Sequence, residues 1–121
     1  MLTDVSTASV DIYDVSTRRW STAQLSGPRE QIAVAIAGTK MFFAGGWNQS
    51  GTGSTSNKVD IYDASNNTWA SGRLSVSRSL VAATVVGNKV IFAGGFGGNN
   101  NEFLNTVDIY DLRPSDAGHA P

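Results

Sequence analysis

The residue types that carry most enzyme chemistry are scarce in this chain of 121 residues. It contains no cysteine, which excludes disulfides, thiolate metal sites and cysteine nucleophiles. Its single histidine, His119, stands beside Gly118 and close to Pro121, in a segment (113–121) that we expect to be a flexible tail. We therefore predict a protein that is not an enzyme, with no catalytic residue, metal site or cofactor.

The acidic residues and the glycine-rich stretches have structural explanations. Six of the ten acids belong to three copies of the pentapeptide VDIYD, and this repetition favours turn and edge roles over a paired general acid and base. The stretch GGFGGNNNEF (94–103) superficially suggests a phosphate-binding loop, but no helix and no Lys-Ser/Thr pair follows it. We interpret it and its counterpart GGWNQSGTGSTSN (45–57) as flexible loops between strands.

Charge and hydropathy exclude several classes of partner. The formal net charge is −1, and the nine basic and ten acidic residues are spread along the chain, so nothing favours nucleic acid or an anionic membrane. The first ten residues are polar, and no apolar run approaches the roughly 18 residues that span a bilayer. We expect a soluble chain without a signal peptide or membrane segment, and its compartment stays open.

Two arginines, Arg29 and Arg78, occupy the same position of an internal repeat. The VDIYD copies begin at residues 10, 59 and 107, and other residues keep nearly the same spacing, including Trp20 with Trp69 and FAGG at 43–46 with FAGG at 92–95. A fixed period of 20 to 50 residues is typical of solenoids and propellers. A guanidinium group can hold a carboxylate through charge-assisted hydrogen bonds.

Each repeat predicts four antiparallel strands, which we name a to d. QIAVAIAG (31–38) and MFFAGG (41–46) flank a short glycine turn and form a predicted hairpin, VDIYD is the third strand, and the fourth is centred on tryptophan. Four strands in about 49 residues match one propeller blade. Along the chain the strands run c-d, a-b-c-d, a-b-c, which predicts an all-β protein of nine strands without a helix of consequence. A leucine-rich horseshoe needs a shorter period, and a sandwich needs none.

In these residues the chain resembles the kelch family. The resemblance implies four-stranded propeller blades, usually five to seven in a ring, that serve most often as binding platforms. It covers roughly residues 10–111, and we predict a propeller segment over 1–112 with blade units at about 25–72 and 74–111. The residues that carry it are the glycine doublets Gly45–Gly46 and Gly94–Gly95, the tyrosines Tyr13, Tyr62 and Tyr110, the tryptophans Trp20 and Trp69, and the arginines Arg29 and Arg78.

The resemblance also suggests a role for the two arginines. In some kelch substrate adaptors the matching arginine lines the channel mouth and holds acidic groups, so Arg29 and Arg78 are candidate ligand-binding residues. Alternatively, each pairs with a neighbouring loop carboxylate or a blade carbonyl. If three such chains closed into one ring, its six arginines would repel one another unless an anion lay among them. Some kelch proteins resemble galactose oxidase, whose copper site requires histidines, tyrosines and a cysteine, and this chain cannot supply that set.

The two ends of the repeat differ. The third VDIYD is not followed by a tryptophan, since position 117 is alanine, while the first copy brings Trp20 without strands a and b. Burial of apolar surface stabilises a protein by roughly 25 cal/mol per Å², so an uncovered blade face forgoes several kcal/mol of stability at each junction. We therefore predict head-to-tail assembly into a six-bladed homotrimer. A ring of two chains with four blades is the second choice of assembly. A protein or acidic peptide is a further candidate partner. The alternatives are a fragment of a larger kelch-containing enzyme and a chain excised or engineered to study propeller assembly.

Overall fold

The computed structural model describes residues 6–49 and 53–113, and all the regular structure in these residues is β-strand. This confirms the all-β prediction. Nine strands have five or six residues, and five have two. The longer strands are β1 (Ser9–Asp14), β2 (Arg19–Gln24), β3 (Ala33–Ala37), β4 (Lys40–Ala44), β7 (Lys58–Asp63), β8 (Thr68–Arg73), β10 (Ala82–Val86), β11 (Lys89–Ala93) and β14 (Val107–Asp111). The short ones are β5 (Trp47–Asn48), β6 (Ser54–Thr55), β9 (Arg78–Ser79), β12 (Phe96–Gly97) and β13 (Glu102–Phe103).

The longer strands form three antiparallel units in the predicted order. β1 pairs with β2 in the N-terminal hairpin; β3, β4, β7 and β8 form the middle sheet; and β10, β11 and β14 form the last sheet. These units correspond to the predicted series c-d, a-b-c-d, a-b-c. Each a-b turn has two residues and places a glycine at positive φ, 60° at Gly38 and 57° at Gly87, as tight hairpins require.

The turns between strands c and d are closed by the last aspartate of VDIYD. Asp14 Oδ1 accepts hydrogen bonds from the backbone N–H of Ser16 at 2.8 Å and of Thr17 at 3.3 Å. Asp63 Oδ1 does the same for Ser65 at 2.9 Å. Turn roles were predicted for these aspartates from the sequence, and the turns are of the Asx type. Their hydrogen bonds stabilise the charged carboxylates, so that the pKa values of Asp14 and Asp63 are lowered.

The main core lies between the middle and last sheets. Small side chains from β3 and the ring of Phe42 meet Phe92 and Tyr110, whose ring centroids lie 6.4 Å and 5.5 Å from that of Phe42. Alternation along each strand places these residues on one face, because successive side chains of a strand point to opposite faces. The facing set from the middle sheet is Ala33, Ala35, Ala37, Phe42, Ala44 and Val59.

The loops that follow the glycine doublets contain more structure than the sequence suggested. In the last repeat β12 pairs with both β13 and β9, and in the middle repeat β5 pairs with β6. The flexible-loop interpretation was therefore wrong for these residues, because backbone pairing across the loop satisfies groups that a polar composition had suggested would be solvated. Of the predicted tail 113–121, only Arg113 lies within the described residues. Within residues 6–49 and 53–113, no helix is long and apolar enough to cross a membrane.

Candidate functional site

Arg29 lies at the centre of a buried polar cluster in the middle sheet. Its Nη2 atom contacts Asp60 Oδ2 at 2.7 Å, and Nη1 donates to the backbone carbonyl of Lys58 at 2.9 Å. Asp60 Oδ2 also accepts from the backbone N–H and the hydroxyl of Ser26, both at 3.1 Å. Burial lowers the pKa of Arg29, and the Asp60 carboxylate counters that effect. The cluster thus ties the loop after β2 to strand β7.

Arg78 forms the equivalent cluster in the last sheet and is fully buried. Its Nη1 contacts Asp108 Oδ2 at 2.8 Å, Nε donates to the carbonyl of Gly94 at 2.8 Å, and Nη2 donates to the carbonyl of Phe92 at 3.1 Å. Burial alone would raise the pKa of Asp108, but hydrogen bonds from Arg78 and from the N–H of Ser75 outweigh it and lower that pKa.

Each sequence-predicted arginine is therefore paired with the aspartate of its own VDIYD strand. This arrangement corresponds to the alternative interpretation of the two arginines, in which each pairs with a neighbouring carboxylate or a blade carbonyl. The expected repulsion within a ring of arginines loses its basis, because each guanidinium already has a counter-charge. Binding of an acidic ligand by Arg29 or Arg78 stays a prediction, and it now requires that ligand to replace Asp60 or Asp108.

The two clusters also differ at the Nε atom of the arginine. Arg29 Nε is a buried donor without a hydrogen-bond partner, and it is alone in this among the side chains that the structure describes. The corresponding atom of Arg78 is satisfied by Gly94. The middle cluster therefore keeps an unused donor, at a buried position where such a group is unfavourable.

The glycine doublet of the middle sheet joins that sheet to the next one. The N–H of Gly46 donates to the carbonyl of Arg78 at 3.0 Å, and a Cβ added at Gly45 would lie 2.4 Å from the same oxygen. Gly45 and Gly46 have φ of 67° and 111°, which glycine adopts readily. In the last sheet a Cβ at Gly95 would lie 2.6 Å from the carbonyl of Ser79, whereas at Gly94 the nearest atom is 3.7 Å away. The glycines thus permit close approach of backbones, between repeats at Gly45 and within the last repeat at Gly95.

The tyrosine and tryptophan positions form cross-strand pairs where both strands are present. Tyr62 packs on Trp69, and Tyr13 on Trp20, each with ring centroids 5.0 Å apart. Tyr110 has no such tryptophan and instead donates its hydroxyl to the carbonyl of Arg73 in the middle sheet at 3.2 Å. Burial raises the pKa of Tyr110. The same tyrosine therefore links neighbouring sheets at the covered junction.

A cavity of about 640 Å³ lies among the loops of the middle and last repeats. Its lining offers hydroxyl groups, amide groups and one indole ring, without a charged side chain. Sequence reasoning missed this site because it treated the loops as flexible, although the loops occupy equivalent positions in successive repeats and so reach the same side. The polar and aromatic lining residues are Trp47, Ser54, Thr55, Ser75, Ser77, Asn99 and Asn101.

Metal chemistry has no visible centre in the described part of the chain. Within residues 6–49 and 53–113, no group of three or more His, Cys, Asp or Glu side chains could hold a metal ion. His119, for which no role was predicted, lies outside the described residues.

A family model for the kelch motif matches residues 28–73 and 77–113. These ranges hold more than half of the chain. They include both arginine–aspartate pairs and both glycine doublets, whereas Tyr13 and Trp20 of the first copy precede them. A search of curated protein sequences found no significant match.

Proposed function

We propose that this chain, which belongs to the kelch family, is a non-catalytic module that closes head to tail with copies of itself into a six-bladed homotrimeric propeller. The kelch motifs themselves indicate a binding or scaffold module. Self-assembly and the absence of catalysis are the proposed parts. One observation carries the assembly: two sheet faces of opposite kind are open.

The open faces lie at the two ends of the stack. On the last sheet, Val86, Val107 and Ile109 are exposed on the face turned away from the middle sheet. On the N-terminal hairpin, Tyr13 and Trp20 are exposed on the face turned away from the middle sheet. Exposed apolar groups arranged as a patch mark an interaction site more often than scattered ones do.

The covered junction shows how such faces fit. There the face of the middle sheet that carries Val59 packs against the face of the last sheet that carries Tyr110. The open faces are the same two kinds, the Val/Ile face of the third VDIYD and the Asp/Tyr face of the first. If the hairpin of one copy joins the last sheet of another copy as its outer strands, each open face lies against a middle sheet and repeats the junction, and such head-to-tail contacts close into a ring if the rotation fits. Three chains of two blades each make six.

The molar mass in solution tests the assembly. Size-exclusion chromatography with light scattering, over a dilution series, is expected to give three times the 12.7 kDa of one chain at micromolar concentration. Val86→Glu should abolish the assembly, because it places a charge on the open face of β10. Val15→Glu, in the exposed turn before β2, is the matched control. A wild-type chain that stays monomeric overturns the proposal, and a mass of two chains replaces the trimer by the four-bladed ring.

We place the binding activity at the loop cavity rather than at the arginines. An indole with surrounding hydroxyl and amide groups suits an extended peptide, because such groups can pair with its backbone. Peptides selected by display against the wild type should lose binding to Trp47→Ala. Selected peptides that are rich in Asp and Glu and unaffected by Trp47→Ala would instead support the acidic ligand at Arg29 and Arg78.

A further inference from the structure

The repeat gives each chain three c strands, although two blades need only two, so assembly must release one of them. We infer that the released strand is β14, that β1 of a second copy takes its place on the edge of β11, and that Asp11 of that copy takes the place of Asp108 beside Arg78. This inference rests on the proposed self-association. It specifies the strand exchanged, its register and its ion pair.

Strands β1 and β14 are interchangeable as partners of β11. Both contain VDIYD, and in the last sheet Phe92 stands opposite Asp108, Ile91 opposite Ile109, and Lys89 opposite Asp111. The same register places Phe92 opposite Asp11, Ile91 opposite Ile12, and Lys89 opposite Asp14 of the second copy. The 3.0 Å contact from Lys89 Nζ to Asp111 would have its equivalent at Asp14.

Asp11 is the only one of the three equivalent aspartates that lacks an arginine. Asp60 holds Arg29 and Asp108 holds Arg78. Asp11 is exposed, and it makes no side-chain hydrogen bond or ion pair with any residue that the structure describes. In each sheet the arginine comes from the segment just before strand a, and the N-terminal hairpin has no strand a in the described chain. An arginine for Asp11 must therefore be supplied from outside the hairpin.

The free edges show which c strand can leave. β1 is anchored by six register pairs to β2, and Val10 and Ile12 line an apolar cleft of about 220 Å³ together with Met41 and Phe43 of the middle sheet. Its other edge, where strand b belongs, is unpaired in the described structure. Within the described residues, β14 pairs only with β11 and has no strand d on its outer edge. Release of β14 leaves every other strand in place, whereas release of β1 would open the hairpin.

Exchange also covers apolar surface that would otherwise stay open. Val34 and Ile36 of β3 are 48% and 61% exposed, because no a-b hairpin lies against that side of the middle sheet. An incoming β10–β11 hairpin would place the Ala82, Thr84 and Val86 face on them. At the covered junction the equivalent residues Ala33, Ala35 and Ala37 pack in this way and are buried. Edge contact between intact chains would leave Val34 and Ile36 in water.

Two substitutions at equivalent positions separate the two c strands. Asp11→Asn should raise the dissociation constant of the assembly by about tenfold or more, because it leaves a buried guanidinium without its counter-charge. Asp108→Asn should leave that constant unchanged or lower it, since Asp108 is unpaired after exchange. The reverse result, with Asp108→Asn weakening assembly and Asp11→Asn neutral, overturns the exchange while leaving the trimer standing. A monomeric wild type overturns both.

Cross-linking gives a second measurement that does not depend on affinities. The chain has no cysteine, so Ile12→Cys combined with Ile91→Cys reports directly on the proposed register. Under oxidation this double variant should give covalent oligomers in denaturing gels, while Ile91→Cys with Ile109→Cys should give them at a much lower level. The exchange would be contradicted if only Ile91→Cys with Ile109→Cys gave covalent oligomers. It would also be contradicted if Ile12→Cys with Ile91→Cys gave only a disulfide within one chain. Reduction should return every variant to the single-chain mass.

Discussion

The same pentapeptide has different environments in the middle and last sheets. Val59 of the middle VDIYD is completely buried, whereas Val107 at the same position of the last copy is 53% exposed. Tyr62 is buried, and Tyr110 is half-buried against the middle sheet. Among the residues that the structure describes, the middle strand has a neighbour on each face, and the last strand has one only on its Asp/Tyr side.

This difference separates what a strand specifies from what its surroundings add. The alternation in VDIYD decides which side chains share a face. Whether that face is buried depends on the sheet laid against it, so identical residues contribute differently to stability. Substitutions at equivalent positions can measure that contribution directly, at dilutions where the chain is monomeric.

The largest difference is expected at the first aspartate of the pentapeptide. Asp60→Asn should destabilise the chain by about 3–5 kcal/mol, because it leaves the buried Arg29 guanidinium without a carboxylate. Asp11→Asn, which removes no contact in the described structure, should leave the urea midpoint of the monomer unchanged. Equal losses for the two variants would show that burial of the ion pair is not what matters.

The glycine doublets give the next difference. Gly45→Ala should destabilise by about 3 kcal/mol, since it combines about 1–2 kcal/mol for a left-handed backbone with about 1–3 kcal/mol for a clash against the carbonyl of Arg78. Gly94→Ala should cost only the backbone part, because its Cβ would meet nothing closer than 3.7 Å. Thermal unfolding by circular dichroism measures both. A larger loss for Gly94→Ala would mean that Gly45 can move away from Arg78.

Val59→Ala and Val107→Ala compare the valine position itself. Val59→Ala should lose about 2 kcal/mol, from two buried methyl groups at about 0.8 kcal/mol each and the space they leave. Val107→Ala should change stability by less than about 0.5 kcal/mol, as is usual for exposed positions. Chemical denaturation curves with equal slopes would establish the comparison. A loss of 2 kcal/mol at Val107 in the monomer would indicate cover that the structure does not show.

The smallest effect concerns the last aspartate of each copy. Hydrogen bonds from Arg113 lower the pKa of Asp111, while Ser16 and Ser65 lower those of Asp14 and Asp63. Any stability from these groups is present above their unfolded pKa of about 3.9 and is lost as pH falls through the folded values. Arg113→Gln should raise the pKa of Asp111 in an NMR titration and leave the other two alone, with unfolding at neutral pH nearly unchanged. If the pKa of Asp111 is the same in the variant, Arg113 is not the cause of its lowering.

The fold was predictable because its signals are local and repeated. Spacing, alternation and glycine turns were enough for nine strands in the order c-d, a-b-c-d, a-b-c. The partner of each arginine was not predictable, since Arg29 and Asp60 are 31 residues apart and nothing local joins them. The loop cavity and strands β5, β6, β9, β12 and β13 were also missed, because two-residue strands have no period to detect.

The sequence by itself determined the kelch repeat, the type of each strand and which residues share a face, since all three follow from local alternation and spacing. Only the tertiary structure decided which faces are covered, which aspartate meets which arginine, and that Val34 and Ile36 lie open beside the free edge of β1. The physical reason is that burial and ion pairing belong to pairs of sheets, and a strand's own residues do not record which sheet will lie against it.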